Sequence, residues 1–349
     1  MSITAVAARA RVSIATVSRV INGTATVNPE TAERVREAIE ALNFYPDISA
    51  RTLGSGRSGL YGLIISDITN PYFPELVKAF EDIAVEHGQD VLIANTDYDP
   101  KRMEACVIRM LQRKVDGVAI MTSEMEDRLI HTFSHRQIPT IFMDTPKGLK
   151  GVNTVRVDYA AGVNQAMEHL FAFGHQRIAF ISGPLALSSV RVRAQAFTKS
   201  LRQHGLTGEP HLMQESDHRV EGGHAAMQRI LRSGTRPTAV LASNDLTAIG
   251  AMGAIHEAGL CIPEDISIIG FDDIELSAYI QPGLTTLHVP RRELAATAFR
   301  SLYRDRDEVA SISPVKWEHV IQPRLVVRHS TAQASEPVTT TAGFARKKK

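Results

Sequence analysis

Hydrophobic and polar residues are distributed along the 349-residue chain in two different ways. Through residue 57, short apolar sets recur at positions i, i+3 and i+4, which predicts three small helices. From about residue 60 onward, short apolar runs alternate with longer stretches of helical periodicity. The runs that predict strands are Leu60–Ile65, Val91–Ala94, Gly117–Met121, Thr140–Met143, Arg177–Ile181, Ala239–Ala242 and Ile266–Gly270.

The alternation of strands and helices indicates βαβ units and a mostly parallel sheet. The helical stretches are Glu75–Glu86, Met103–Gln112, Gly162–Phe173 and Leu246–Ala258. The number of strands and the length of this region favour two such sheets, the second beginning near Asp158. We therefore predict an α/β protein in which a small all-α headpiece precedes two doubly wound parallel sheets.

Composition and charge narrow the classes of function. Hydrophobic residues make up 44% of the chain, and the formal net charge is +1, so the protein is neither generally disordered nor polycationic. Two cysteines are too few for a disulfide framework or a four-cysteine zinc site. The N-terminus carries Arg9 and Arg11 and has no long apolar run, which predicts a cytoplasmic protein without a secretory signal or membrane span.

Residues 6–22, VAARARVSIATVSRVIN, have the pattern of a helix-turn-helix. One apolar face comes from Val6, Ala7 and Ala10, and the facing one from Val17, Val20 and Ile21. Ser13 is placed to cap the second helix. The opposite face carries Ile14, Ala15, Ser18 and Arg19, and residues 1–29 contain three arginines and no acid, which suits the DNA major groove.

Each of these side chains has a different chemistry toward DNA. Arg19 can donate two hydrogen bonds to O6 and N7 of guanine, whereas Ile14 and Ala15 can contact only thymine methyl groups or shape. Donors to phosphates, which fix position without reading sequence, are Ser2, Thr16, Ser18 and Asn28.

The helix-turn-helix resembles the signature of the lactose/purine-repressor family of bacterial transcription regulators. The resemblance covers essentially residues 2–330. Further matching segments are 42–46 (LNFYP), 50–53 (ARTL), 70–73 (NPYF), 169–175, 181–184 (ISGP), 243–245 (SND), 270–273 (GFDD), 284–286 (LTT) and 323–328. So many matches in the same order are far more specific than any one of them.

The resemblance implies a domain organisation. It places a headpiece at 1–46, a hinge helix and linker at 47–59, and at 60–330 a two-lobed core similar to periplasmic sugar-binding proteins. The first lobe is expected at 60–157 and 289–319, and the second at 158–288 and 320–330. The Ser/Thr/Ala-rich tail, 331–349, is predicted to be disordered from its composition.

The resemblance also implies a function. The expected protein is a sequence-specific transcriptional regulator, a repressor, that binds a pseudo-palindromic operator as a homodimer. A small metabolite is expected to switch it, with a sugar or sugar derivative as the first expectation. A purine or phosphosugar co-repressor is the alternative, and the direction of the switch stays open.

Site residues follow from matching positions. The resemblance and the helix pattern together give the DNA-binding set Ser2, Ser13, Ile14, Ala15, Thr16, Ser18, Arg19, Asn22, Asn28, Ala50 and Leu53. Leu53 corresponds to a leucine that wedges into the central base step of the minor groove. The implied effector-binding set is Asp67, Tyr72, Phe73, Asp144, Arg191, His218, Asn244 and Asp272.

Enzyme motifs give little support to catalysis. The segment 54–59, GSGRSG, matches G-x-G-x-x-G, but it follows a predicted helix and precedes a strand, the reverse of a dinucleotide site. The chain lacks G-x-x-x-x-G-K-[ST], H-E-x-x-H and G-x-S-x-G. We expect no catalytic residue, cofactor or metal. A solute-binding protein on the same core is a further alternative, and the headpiece argues against it.

Overall fold

The computed structural model describes residues 2–23, 27–45, 57–122, 129, 132–133, 135–144, 153–303 and 318–334. The chain divides into two compact units, Met1–Leu60 with Lys114–Asp116, and Tyr61–Arg113 with Gly117–Lys349. Within the described ranges, none of the helices combines the length and the apolar character that crossing a bilayer requires.

In the described part of the first unit the chain forms three short helices, α1 (Ile3–Ala10), α2 (Ile14–Asn22) and α3 (Pro29–Ala41). Each begins at a capping side chain: Ser2, Ser13 and Asn28 accept hydrogen bonds from backbone N–H groups of the first turn. The predicted apolar faces meet in a small core formed by Val6, Ala7, Ala10, Val17, Val35 and Ala38. The expected helix-turn-helix is therefore confirmed.

The strands described in the second unit form three sheets. A six-stranded sheet has the order β11-β5-β4-β3-β1-β2, and a four-stranded sheet has the order β7-β6-β8-β9. The pairs β11–β5, β5–β4, β4–β3 and β3–β1, and all three pairs of the four-stranded sheet, are parallel, while β10 and β12 form an antiparallel pair. The strands are Leu60–Ile65 (β1), Asp90–Asn95 (β2), Gly117–Met121 (β3), Thr140–Met143 (β4), Asn153–Val157 (β5), Ile178–Ser182 (β6), Met213–Glu215 (β7), Ala239–Ala242 (β8), Ser267–Ile269 (β9), Thr286–His288 (β10), Glu318–Ile321 (β11) and Arg324–Val326 (β12).

Seven helices cover these sheets within the described residues: Tyr72–Glu86 (α4), Pro100–Gln112 (α5), Tyr159–Ala172 (α6), Ser188–Gln203 (α7), Val220–Arg232 (α8), Asp245–Glu257 (α9) and Arg291–Leu302 (α10). Helices α4 and α10 pack together in the lobe built on the six-stranded sheet. Helices α8 and α9 pack very closely in the other lobe, because glycines stand at their contact. A Cβ on Gly250 would lie 1.9 Å from the carbonyl oxygen of Val220.

The chain passes between the lobes three times, as the resemblance implies. It crosses at Asp158, between β10 and α10, and between β11 and β12. The third crossing lies after Ile321, since Val320 and Ile321 pair with β5; the resemblance implies a crossing near Val320. Each lobe is therefore assembled from segments that lie far apart in the sequence.

The predicted disordered tail, 331–349, includes four residues that the structure shows in contact with the second lobe. Residues 331–334 are attached to the second lobe: His169 contacts the Thr331 hydroxyl at 3.0 Å, and His175 contacts the Ala332 carbonyl at 3.0 Å. The backbone N–H of Ala334 donates to the carbonyl of Phe173. Both histidines thus have structural roles. The rest of the predicted tail, 335–349, lies outside the described residues.

Candidate functional site

The outward face of α2 presents the side chains that the sequence assigns to base contact. Ile14 is 47% exposed, although it is a large apolar residue, and Ala15 and Arg19 are exposed beside it. Val17, on the other side of the helix, is fully buried. An apolar contact surface followed one turn later by a guanidinium therefore lies on one accessible helix face.

The remaining polar residues of this face are partly engaged in helix capping. The Ser13 Oγ accepts from the backbone N–H of Thr16 at 3.1 Å and lies 3.0 Å from the Thr16 hydroxyl. Asn28 accepts from the N–H of Glu30 at 2.9 Å, and Ser2 caps α1. Because a capping oxygen accepts, donors are still provided at the helix ends by the Ser2 hydroxyl, by the Asn28 amide group, and by whichever hydroxyl of Ser13 and Thr16 accepts in the bond between them.

Three members of the predicted DNA-binding set receive no structural account. Ala50 and Leu53 lie outside the described residues, and of the predicted hinge helix and linker only 57–59 are described. The backbone of Asn22 ends α2, but its side chain is not described. Ser18 is half-buried on α2. The wedge assigned to Leu53 stays a prediction.

A second candidate site lies between the two lobes of the core, at the carboxyl ends of the parallel strands. Ligands bind at this edge in open α/β sheets. The cavity has a volume of about 60 Å³. Its walls are formed by Ser66, Asn70, Tyr72, Phe73, Tyr98, Met121, Thr122, Asp144, Tyr159, Leu187, Ser189, Arg193, His218, Asn244 and Asp272.

Arg193 is the central cation of this cavity. It projects from α7, is only 5% exposed, and donates from Nη1 to the carbonyl of Ser243 at 2.9 Å. Its guanidinium carbon lies 4.0 Å from the ring centroid of Tyr159 and 4.9 Å from that of Phe271. Two aromatic faces and a carbonyl thus hold the guanidinium, as cation–π geometry favours.

Two carboxyl groups lie close enough to Arg193 for its charge to lower their pKa values. Burial raises the pKa of Asp144 to about 6, although Arg193 and a hydrogen bond with Tyr159 lower it. Burial also raises the pKa of Asp272 well above its usual value, and the neighbouring carboxyl of Asp245 raises it further. The cavity therefore contains two carboxyls and one guanidinium that have been taken out of water.

His218 and Asn244 form one hydrogen-bonded unit in the second lobe. The Nε2 of His218 lies 3.0 Å from the Ser243 hydroxyl, and burial, aided by Arg193, lowers its pKa to about 3. His218 is therefore neutral at physiological pH. Asn244 donates to the His218 carbonyl at 3.0 Å and accepts from the N–H of Thr247 at 2.9 Å, so its side chain also supports the fold.

Four buried side-chain atoms have no hydrogen-bond partner among the described residues, and two of them belong to the cavity. These two are the hydroxyl of Tyr72 and the Nε–H of Arg193. Both residues line the cavity, one from each lobe. Because leaving a buried donor unpaired costs about 1–3 kcal/mol, these two groups are places where ligand oxygens would be stabilising.

Six of the eight predicted effector residues line the cavity: Tyr72, Phe73, Asp144, His218, Asn244 and Asp272. Arg191 does not. It is exposed and donates from Nη1 to the carbonyl of Leu185 at 2.8 Å and also to that of Ala186. Asp67 is buried outside the cavity wall and accepts from the hydroxyl of Thr69 at 2.6 Å.

The arginine of the cavity is thus Arg193, which the sequence analysis missed. The signal was available in the periodicity of α7. The buried positions Val190, Arg193, Phe197 and Leu201 recur at helical spacing, whereas Arg191 falls on the opposite face. Tyr98 and Tyr159 were also missed, because each follows a strand in a segment with no motif of its own.

The chain matches two protein-family models. The model for bacterial regulatory proteins of the lacI family matches residues 2–47, and the model for a periplasmic binding protein-like domain matches residues 167–331. The HTH-type transcriptional repressor PurR of Erwinia tasmaniensis is 36% identical over 329 residues, which cover 94% of this chain and 96% of the relative. The chain belongs to the lacI family of bacterial regulatory proteins.

Solved structures of lacI-family proteins agree with this assignment. A lac repressor dimer bound to operator and the anti-inducer ONPF has a TM-score of 0.84 and 30% identity, covering 95% of this chain and 99% of the other. A lacI-family regulator from Enterococcus faecium with bound ribose has a TM-score of 0.70 and 30% identity, covering 79% and 100%. As a lacI-family member, the chain is a DNA-binding transcriptional regulator.

Among the described residues, no group of three or more His, Cys, Asp or Glu side chains is arranged to hold a metal ion.

Proposed function

We propose that this lacI-family protein is a repressor that binds a pseudo-palindromic operator as a homodimer and is switched by an uncharged sugar in the interlobe cavity. The observation that supports this proposal best is the chemistry of the cavity, in which the buried carboxyl of Asp272 and the half-buried carboxyl of Asp144 lie with one buried guanidinium, that of Arg193. Carboxyl and guanidinium groups accept from and donate to sugar hydroxyls at fixed angles. The solved relatives that contain ONPF or ribose support a small-molecule effector here.

The charge of the cavity argues against a phosphosugar. A phosphate group carries about −1.5 to −2 charges at neutral pH, and it would enter beside the carboxyl of Asp144, which is ionised above about pH 6. The charge of Arg193 already interacts with the carboxyls of Asp144 and Asp272, and His218 is neutral because its pKa is about 3. A like-charge contact in a buried site costs several kcal/mol. The effector we propose is therefore neutral and rich in hydroxyl groups.

The size of the cavity indicates that the lobes move when the effector enters. A volume of about 60 Å³ is small beside the roughly 300–1,000 Å³ of typical ligand pockets. In this proposal the lobes separate to admit a sugar ring and then close around it. An effector that binds one lobe arrangement more tightly than another shifts the equilibrium between them, and operator affinity shifts with it.

A binding panel tests the effector class. Wild-type protein is titrated calorimetrically with neutral monosaccharides and disaccharides, monosaccharide phosphates and free purines. We expect saturable binding of a neutral sugar, loss of that binding in Arg193→Met, and wild-type affinity in Arg191→Met. The second variant is a matched control, since it makes the same chemical change two residues away and outside the cavity.

Several outcomes would contradict this proposal. Binding of a phosphosugar or a purine with no neutral sugar bound would replace the effector class. Loss of sugar binding in Arg191→Met but not in Arg193→Met would place the site elsewhere. In this proposal the cavity residues bind without catalysis, so the sugar must be recovered chemically unchanged; a converted product would indicate an enzyme.

The operator is tested by selecting genomic fragments with the purified full-length protein. The proposal requires enrichment of one pseudo-palindrome and binding of one dimer to each site. Such a function also places the protein in the compartment that holds the chromosome, the bacterial cytoplasm. No enrichment, with or without the sugar found in the panel, would contradict it.

A further inference from the structure

Arg291 holds the loop that carries the cavity residue Asp272. It is the first residue of α10, directly after the chain passes from the second lobe to the first. Its side chain reaches back and donates from Nη1 to the carbonyl of Asp272 at 2.5 Å and from Nη2 to that of Asp273 at 2.8 Å. One first-lobe side chain thus donates hydrogen bonds to two successive carbonyls of the second lobe, in the fork geometry to which a guanidinium is suited.

The loop that contains Asp272 and Asp273 has an unfavourable backbone conformation. Asp272 has a φ of 115° and Asp273 a φ of 57°, both in the region that favours glycine. Such conformations persist only where the surrounding structure imposes them. Here Arg328 donates to the Asp273 carboxylate at 2.6 Å, and the buried carboxylate of Asp245 accepts from the N–H of Ile274 at 2.9 Å. The loop therefore has one well-defined arrangement, and its Asp272 side chain faces the cavity.

The same guanidinium is tied to helix α4 of the first lobe. Its Nη2 lies 2.6 Å from Oε2 of Glu75, and the Arg291 side chain is only 11% exposed. The other carboxylate oxygen of Glu75 accepts from the backbone N–H of Glu275 at 3.3 Å. Helix α4 begins with Tyr72 and Phe73, which form part of the first-lobe wall of the cavity. The Arg291 guanidinium carbon is 5.7 Å from the Tyr72 ring centroid.

We propose that Arg291 and Glu75 form the relay that couples the Asp272 loop of the effector cavity to α4 in the first lobe. The relay rests on the proposed function, since it gives effector contact at Asp272 a route to the first lobe. Arg291 can keep its hydrogen bonds to both carbonyls and its ion pair with Glu75 in only one arrangement of the loop. A shift of Asp272 therefore breaks some of these contacts and changes how firmly α4 is held, as expected for a discrete two-state element.

Hydrogen exchange tests the relay without an identified effector. The probe is Asp272→Gly, which removes the cavity carboxyl and relaxes the unfavourable φ. Amide exchange over α4 is measured in the otherwise wild-type protein and in Arg291→Gln, Glu75→Gln and Arg292→Gln backgrounds. Arg292 is the matched control: it is the next residue, is 73% exposed and lies 3.9 Å from Glu86 of the same α4. It makes no contact with the Asp272 loop among those described.

The relay predicts that Asp272→Gly accelerates exchange over α4 by on the order of fivefold in wild-type and Arg292→Gln proteins. In Arg291→Gln and Glu75→Gln, the same change should alter α4 exchange by less than about twofold. Glu75→Gln covers the case in which Arg291→Gln fails to fold, since Glu75 lies at the helix surface and is 34% exposed.

Two results would overturn the relay. An equal acceleration in every background would mean that Asp272 and α4 communicate by another route. No acceleration in the wild-type background would mean that the contacts of Arg291 stabilise the loop but transmit no change to α4. Because this readout needs neither operator nor sugar, the relay can fail while the proposed function stands, and a failure of the proposed function is seen separately in the sugar panel and the operator selection.

Discussion

Removing the charge of Asp144 should stabilise the protein, although the residue lies in the proposed effector cavity. Burial raises the pKa of this carboxyl from its usual 3.8 to about 6 even though Arg193 and Tyr159 act in the opposite direction. Since a pKa change of one corresponds to about 1.4 kcal/mol, the charged form destabilises the folded state by about 3 kcal/mol above pH 6. Asp144 keeps a partial exposure to the cleft. Water there screens part of the effect, so we expect on the order of 2 kcal/mol.

The pH dependence gives the sign of this prediction. Below the unfolded pKa, Asp144 is protonated in both states and contributes no difference. Between that value and about 6, the folded state binds the extra proton, so stability falls as the pH rises through this window. Asp144→Asn lacks this loss. Its advantage should be complete near pH 8 and should fall to about half by about pH 5.

Urea denaturation of wild type and Asp144→Asn between about pH 5 and 8 measures this difference. Asn is a suitable replacement because Asp144 has a φ of 64°, which Asn tolerates, and because its carbonyl oxygen can still accept from Tyr159. Asp90→Asn, at an exposed position at the start of β2, controls for the change in net charge. If Asp144→Asn were less stable than wild type near pH 8, or gained equally at every pH, the account of a buried charge would be refuted.

Four further changes test other parts of the molecule. Arg19→Ala should weaken operator binding by about 1–3 kcal/mol in fluorescence anisotropy, and an equal loss on random DNA would contradict base reading. Val17→Ala should cost the small headpiece core about 2 kcal/mol in thermal unfolding, since Val17 is fully buried. Gly250→Ala should destabilise the core by about 3 kcal/mol, because its Cβ would meet the Val220 carbonyl; a wild-type urea midpoint would show that α8 and α9 can separate. Leu53→Ala should reduce operator bending in a circular-permutation assay, and unchanged bending would remove the predicted wedge.

Long, regular elements could be predicted from the sequence because their information is local. The strands Leu60–Ile65, Gly117–Met121, Thr140–Met143 and Ala239–Ala242 have the predicted bounds. Their apolar runs, buried on both faces of a parallel sheet, are unambiguous. The strands that the sequence missed, such as Met213–Glu215 and Arg324–Val326, are three residues long and partly exposed.

Part of the cavity could also be predicted, because the matching motifs follow strands. Parallel strands bring their carboxyl ends to one edge, so Asp144, Asn244 and Asp272 converge although they are far apart in the sequence. Asp67 follows β1 in the same way, but its carboxylate accepts a hydrogen bond from the Thr69 hydroxyl and does not line the cavity. Its direction depends on the local turn, which a motif match does not reveal.

The chain by itself determines the helix-turn-helix face, the alternating α/β core and the family, since each depends on residues near one another in sequence or on motifs in order. The tertiary structure decides which arginine enters the cavity, because α7 turns Arg193 inward and Arg191 outward. It also decides that Arg291 contacts both the Asp272 loop and Glu75, because three segments that are distant in the sequence meet at a lobe crossing. Contacts of this kind depend on how the lobes are assembled, and no local pattern encodes them.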